Sequence, residues 1–396
     1  MKHKISLVMN LIRQHGFFKT VYLLIKMIVF KIFDLSFSKK NEQIIKNAVK
    51  NKRVVVFTKA IEWNNMFQRI QQMALVFSKQ EDTIVIYTEN CTTHDFFVNI
   101  NPINDSLFCY SYRHYDKLNE LLTDAKEVVM YMTNLFAFDE NITLKHDKMV
   151  YEYVDELELF FDDLELATKR HTKALELADL SVATATKLFN QIEPLANKAI
   201  LSPNAVDYDT FHGSKDKPVA QDIANVIGKY DIVLGYYGAL ASWFDFKVLI
   251  EVAKRKPNWA LILIGICFDD TIEQYDIKNY PNIILTGPKP YKSLPNYISG
   301  IDILTIPFLV NNITESTSPV KLFEYMASST PILTSELPEC KKYRSVYRYH
   351  DADDFIEKTE MLFVKKDDQA YKELLESEAK ENTWDARIKQ ILDALY

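Results

Sequence analysis

The chain has 396 residues, enough for two hydrophobic cores, and its 48% hydrophobic and 26% charged residues are ordinary for a globular protein. A net charge of -7 excludes general nucleic-acid binding, which asks for a basic surface. Four well-separated cysteines (Cys91, Cys109, Cys267, Cys340) without a CxxC pair exclude a disulfide framework or cysteine zinc site, and read as buried thiols of a reducing compartment.

The first element, residues 1–50, is basic and apolar. Residues 1–40 hold eight Lys or Arg against the single acid Asp34, and thirteen of the seventeen residues from Phe17 to Phe33 are apolar. The longest unbroken apolar run, Val21 to Ile25, is too short to span a bilayer. No small-residue cleavage site follows, so a removable signal peptide is not expected. A helix of this kind is expected to lie in the membrane interface with its lysines on anionic headgroups; the plain alternative packs it on its own domain.

From residue 51 onward, short apolar and β-branched runs alternate with helix-like stretches. RVVVFT (53–58), TIVIYTE (83–89), EVVMYMT (127–133), KMVYEYVD (148–155), LSVATAT (180–186) and AILSPNAV (199–206) read as strands, with helices expected at 64–78 and 163–178. A polar segment, 207–230, reads as a linker. The rhythm then resumes, and Gly238, Gly265 and Gly287 close three more such runs in a chain with only eight glycines. IDILTIPF (301–308) and PILTS (331–335) complete the series, and a last helix near 383–395 is expected to cross back onto the first domain. This order predicts an α/β protein of two doubly wound parallel-sheet domains, 51–206 and 231–380, with 381–396 as the crossing helix. Ligands of such sheets enter beyond the carboxyl ends of the strands, where glycines admit them to the backbone.

The most informative stretch is DILTIPFLVNNITESTSPVKLFEYMASSTPILTS (302–335). Ser318 is a good N-cap and Pro319 suits the first helical position. The helix start offers amides and a positive dipole end to an anion, with Lys321 adding a point charge. Glu324, three residues on and on the same face, can accept two hydrogen bonds from a ribose diol. The plain alternative is a surface Lys–Glu pair on an ordinary helix.

SPVKLFEYMASSTPILTS resembles the nucleotide-binding segment of GT-B fold glycosyltransferases, especially the family 4-like group. Four further blocks agree in order: IEWNNMFQRIQQMA (61–74), KMVYEYVDELELF (148–160), LSPNAVDYDTF (201–211) and LGYYGALASWFDFKVLIEVAKRKPNWALILIG (234–265). The resemblance implies two Rossmann-like domains facing a cleft, the first binding the acceptor and the second a UDP- or GDP-sugar. Glu324 would hold the ribose hydroxyls. Lys321 would neutralise the diphosphate, with Thr317, Ser318 and Val320 around it, and Gly238 would let the phosphates approach. Lys289 and Tyr291 would sit against the base. Many members have a glutamate eight residues before the ribose glutamate, but here that position is Ser316, with Glu315 beside it. The basic residue common after the Gly238 turn is also missing.

Asp155 is the candidate general base or sugar contact, the alternative being a helix N-cap. On the acceptor side stand Glu62 and Arg69, while His114, Trp63 and Trp243 are weaker cleft candidates. No DxD pair has a convincing metal context: Asp162-Asp163, Asp269-Asp270 and Asp353-Asp354 read as solvated faces, and neither metal nor cofactor is expected. The implied activity is sugar transfer to a glycan or lipid-linked acceptor in surface polysaccharide biosynthesis, by a cytoplasmic enzyme peripheral to the membrane. Two rivals are a GT-B-fold sugar-nucleotide epimerase and a non-catalytic GT-B subunit that binds a partner glycosyltransferase.

Overall fold

The computed structural model describes residues 39–64, 67–89, 100–111, 115–159 and 161–396. The expectations for the membrane-associating stretch Phe17–Phe33, for Cys91 and for His114 lie outside the described residues. No helix among the described residues is long and apolar enough to cross a membrane. Residue contacts divide the chain into two compact units, residues up to 66 with 77–148, and residues 67–76 with 149–396.

In the first unit, strands β1 (Arg53–Ala60), β2 (Thr83–Glu89), β3 (Ile100–Asn104), β4 (Leu107–Ser111) and β5 (Glu127–Met132) lie in the order β3-β4-β2-β1-β5. All neighbours are parallel except β3 with β4. The central strand β1 is buried along most of its length because RVVVFTKA is apolar on both faces, as a strand covered on both sides must be. The Phe57 ring centre lies 4.7 Å from that of Tyr131, the two rings tilted by 33°. Helix α1 (Lys39–Val49) precedes β1.

In the second unit, β6 (Lys148–Tyr153), β7 (Leu180–Ala183) and β8 (Ala199–Leu201) pair in parallel in that order. Helix α2 spans Arg69–Phe77, so the expected start at residue 64 is five residues early. Helix α3 (Leu164–Leu177) is capped by Asp163, whose carboxylate accepts from the Leu166 amide, and α4 (Thr186–Ile192) follows β7.

The second sheet is fully parallel. Its strands are β9 (Ile232–Tyr237), β10 (Trp259–Ile264), β11 (Ile283–Leu285), β12 (Ile303–Ile306), β13 (Ile332–Ser335) and β14 (Val346–Tyr349), in the order β11-β10-β9-β12-β13-β14. Counted from β9, that is the dinucleotide-fold order 3-2-1-4-5-6, whose reversal point lies between β9 and β12. Helices α5 (Phe246–Arg255), α6 (Val320–Ala327), α7 (Ala352–Lys365) and α8 (Gln369–Glu381) cover it. Helix α9 (Trp384–Leu395) is capped by Thr383 and returns to the segment after β8, where Arg387 donates to the Pro203 carbonyl and Gln390 to that of Leu201.

The glycines after β9 and β10 are required by close approach. A Cβ on Gly265 would stand 1.8 Å from the Gly238 carbonyl oxygen, and one on Gly238, whose φ is +140°, would meet the Tyr236 hydroxyl at 2.8 Å and Lys321 Cε at 3.0 Å. Gly265→Ala should therefore cost about 3 kcal/mol or more, read as a lower urea midpoint; an unchanged midpoint would contradict this packing.

Candidate functional site

The site is built where the second sheet reverses direction. Strand β9 ends at Tyr237 and turns at Gly238, while the chain leaving β12 passes through a short turn at Thr314–Ser316 before α6. The cap of α6 is Pro319 and its first residue Val320, one position later than the sequence suggested. Ser318 is occupied instead by Asn204, whose side-chain amide donates to the Ser318 carbonyl at 2.6 Å and whose backbone amide donates to the Ser318 hydroxyl at 3.2 Å. The leading amides of the helix, on Val320 and Lys321, have no intrahelical acceptor.

Lys321 lies with its ammonium 5.3 Å from the centre of the Tyr236 ring and 5.1 Å from that of Phe308. Burial lowers its pKa to about 8, against the opposing pull of Glu324 and Cys340. Glu324 is only 4% exposed. Its Oε2 accepts from the Tyr237 hydroxyl at 2.8 Å. Burial raises its pKa to about 7, although hydrogen bonds from Tyr237 and Tyr291 and the charge of Lys321 oppose the rise. Tyr291 in turn accepts from the Gln72 amide at 3.1 Å and packs against Phe67 and Phe211. A cation and a carboxylate, each held against its preference for charge, meet at the start of one helix. A diphosphate would offset the cost of the lysine, and a diol that of the glutamate.

On the β6 side, Asp155 follows the strand, and burial, then the neighbouring charge of Glu156, lifts its carboxyl to about 6. The segment that follows Asp155 is a single 3-10 turn, Leu157–Leu159, and the next α-helix, α3, has its own cap in Asp163. Glu156 is held by several donors. Its Oε1 accepts from Ser316 at 2.5 Å and stands 3.2 Å from the Lys187 ammonium, while Gln191 reaches both oxygens at 3.2 Å and Tyr153 reaches Oε2 at 3.3 Å. Lys187 also donates to the Asn312 carbonyl at 2.8 Å.

The structure thus brings Gly238, Tyr291, Thr317, Ser318, Val320, Lys321 and Glu324 to one end of the sheet. Lys289 uses its ammonium on Asp222 at 2.7 Å. Arg69 corrects the acceptor-side expectation. It is 5% exposed and its guanidinium donates to Glu152, itself 1% exposed, and to the Pro203 carbonyl, which makes it a buried structural cation. Glu62 stands in the first unit near Glu89, whose pKa is raised by burial and, to a lesser degree, by Glu62. Trp63 packs edge-on to Tyr87 in that unit, and Trp243 lies against the exposed Phe268. Cys267 is exposed rather than buried, because it follows the Gly265 turn outside the strand, whereas Cys109 and Cys340 are buried. The aspartate pairs serve as caps and ion-pair partners: Asp269 accepts from the Ser242 and Thr271 amides, and Asp354 pairs with Lys358. Among the described residues no group of three or more His, Cys, Asp or Glu could hold a metal ion. Sequence reasoning missed Asn204, Tyr237 and Gln72, whose contacts are long in sequence and leave no local pattern.

Residues 231–365 match the family described as Glycosyl transferases group 1. Over 195 residues, 48% of this chain and 48% of the other, the sequence is 31% identical to the "Putative teichuronic acid biosynthesis glycosyltransferase TuaH" of Bacillus subtilis (strain 168), so the match spans about half the length of that relative. Anabaena Alr3699/HepE in complex with UDP superposes with a TM-score of 0.61 at 11% identity, covering 87% of this chain and 99% of that one, and the same protein with UDP-glucose does so at 0.59 and 12%, with the same coverage. The α,α-trehalose 6-phosphate synthase of Burkholderia multivorans gives 0.61 at 11%, covering 87% and 98%. The fold is GT-B, two parallel-sheet domains. The likeness to the glycosyl transferases group 1 family is carried by residues 231–365.

Proposed function

We propose that the protein is a glycosyltransferase that moves a sugar from a UDP- or GDP-sugar to a glycan or lipid-linked acceptor in surface polysaccharide biosynthesis. The observation that carries this reading is the pairing of Lys321 and Glu324, both penalised for charge, at a helix start beside the sheet's reversal point. The family match over 231–365, the likeness to TuaH and the UDP complexes of HepE support it.

In this reading Glu324 accepts the ribose hydroxyls, exchanging bonds from Tyr237 and Tyr291 for bonds from the sugar. The diphosphate lies over the Val320 and Lys321 amides. As the glycosidic bond breaks, negative charge grows on the leaving phosphate, and Lys321 with the helix dipole stabilises it without moving. Asp155, with a pKa near 6, is ionised at neutral pH and is the candidate base for the acceptor hydroxyl or contact for the sugar. No metal is required in this scheme. The basic segment 1–50 would bring the enzyme to the inner face of the cell membrane, where lipid-linked acceptors lie.

Calorimetric titration of UDP and GDP tests the site. One of them should bind, EDTA should leave that affinity unchanged, and Glu324→Ala should weaken it about tenfold or more, the worth of a charged hydrogen bond. If neither diphosphate binds the wild type, the reading is wrong.

A further inference from the structure

Glu324 is the carboxylate that the reading above gives to the ribose, and this step rests on that reading. Yet Glu324 is only 4% exposed, so a ribose cannot reach it until a group that covers it moves. Two hydroxyls stand in the place of the diol. Tyr237 donates to Oε2 at 2.8 Å, and Tyr291 donates to the same carboxylate. A ribose would bring the same pair of donors.

The two tyrosines differ in their freedom. Tyr237 ends β9, an inner strand between β10 and β12, and its backbone is paired with Ile264. Its ring packs edge-on to Tyr325 at 5.1 Å between centres, so it can redirect its hydroxyl but not leave. Tyr291 follows a stretch without regular structure, residues 286–290, in which Gly287 has a φ of +71°, and opens a single 3-10 turn. It is therefore the group able to move.

Tyr291 is held in place from the other side. Gln72 on α2 is 5% exposed, and its side-chain amide donates to the Tyr291 hydroxyl at 3.1 Å, while Phe67 and Phe211 flank the ring at 5.4 Å each. The amide N–H can only donate, so the phenolic oxygen accepts from it and turns its own proton to Glu324. Displacing the ring breaks both bonds, and the ligand restores only the one on Glu324. The apparent affinity falls by the fraction of molecules in which the ring is out.

We infer that Tyr291 is a displaceable plug of the ribose site, positioned by Gln72, and that a nucleotide binds by driving the ring out and placing its own hydroxyls on Glu324. The plug acts against every ligand that reaches Glu324 and against none that stops at the phosphates. Pyrophosphate, which needs only Lys321 and the first amides of α6, does not have to displace it.

The test is calorimetric titration of UDP, GDP and inorganic pyrophosphate into the full chain as wild type, Tyr291→Phe and Gln72→Leu. The nucleotide that binds wild type should bind Tyr291→Phe about fivefold tighter, because phenylalanine has no bond to Glu324 to give up. Gln72→Leu should shift affinity the same way by about twofold, since it frees the ring but keeps the hydroxyl. Pyrophosphate should bind all three within about twofold, which also reports an intact phosphate end. In chain labelled with fluorotyrosine, the resonance missing from Tyr291→Phe should move on adding the nucleotide and stay on adding pyrophosphate. Nucleotide affinity unchanged or weaker in Tyr291→Phe, or an equal gain for pyrophosphate, overturns the plug; if Tyr291→Phe does not fold, the same outcomes in Gln72→Leu decide. If neither nucleotide binds the wild type, the donor-site reading falls and the plug falls with it.

Discussion

Replacing Lys321 by methionine is expected to weaken nucleoside diphosphate binding strongly and to stabilise the unliganded protein. The two effects have one cause. In the folded chain the ammonium is desolvated against Tyr236 and Phe308, and its pKa falls from 10.5 to about 8. The folded state therefore gives up the proton earlier than the unfolded one, so stability from this group rises as pH climbs from 8 through 10.5 and is missing below 8. Methionine fills similar space without charge and should recover on the order of 2 kcal/mol at pH 7.5, after loss of the ring contacts. Diphosphate affinity should fall about a hundredfold, since a charge-assisted contact is lost. Glu324 acts in the opposite pH range. Its pKa rises from 4.5 to about 7, so the folded state keeps its proton longer, and stability is lost as pH rises from 4.5 through 7. Thermal melts of wild type and Lys321→Met across pH 5 to 10 would show this. A variant less stable than wild type at pH 7.5 would contradict the account of Lys321.

The second large effect is structural. Arg69→Met should destabilise the protein by about 3–5 kcal/mol, because it leaves Glu152, 1% exposed, without its cation at 2.8 Å. Arg69 also donates to the Pro203 carbonyl and to Asn204, and Asn204 holds Ser318 at the entry to α6. Loss of the arginine should thus also loosen the helix start. Arg69→Met combined with Glu152→Leu should recover most of the stability in urea titrations, since the buried charge is gone with its partner. Equal destabilisation in single and double variants would show that the ion pair is not the cause.

The second domain was largely legible in the sequence because its strands are fully buried. IVLGYY, WALILI and ILTI are apolar on both faces, bounded by Gly or Pro, and have no competing helical reading. Three strands escaped: β3, INPIN, carries a proline and lies at a sheet edge, β4, LFCYS, is buried but only five residues long, and β14, VYRY, is only half-buried. The range of helix α3 is close to its sequence reading, and the structure shows Asp163, which reads as a solvated face in the sequence, capping it, whereas α2 lacks an acidic first turn and begins later than its apolar pattern. At the site, Lys321 and Glu324 were readable from their spacing after Ser-Pro. What spacing cannot carry is tertiary placement. Arg69 looks like a surface charge on a helix until Glu152, 83 residues away, covers it, and Glu156 gives no sign of reaching Ser316 across 160 residues.

The most direct test of the central claim is to incubate the purified full chain with UDP- and GDP-sugars and a bacterial membrane fraction, and to follow free nucleoside diphosphate and the sugar nucleotide itself. The account predicts that one sugar nucleotide is consumed with stoichiometric release of its diphosphate, that the sugar appears on membrane material, and that Lys321→Met does neither. Conversion of a sugar nucleotide into an isomer without release of diphosphate, or no consumption of any donor, would contradict it.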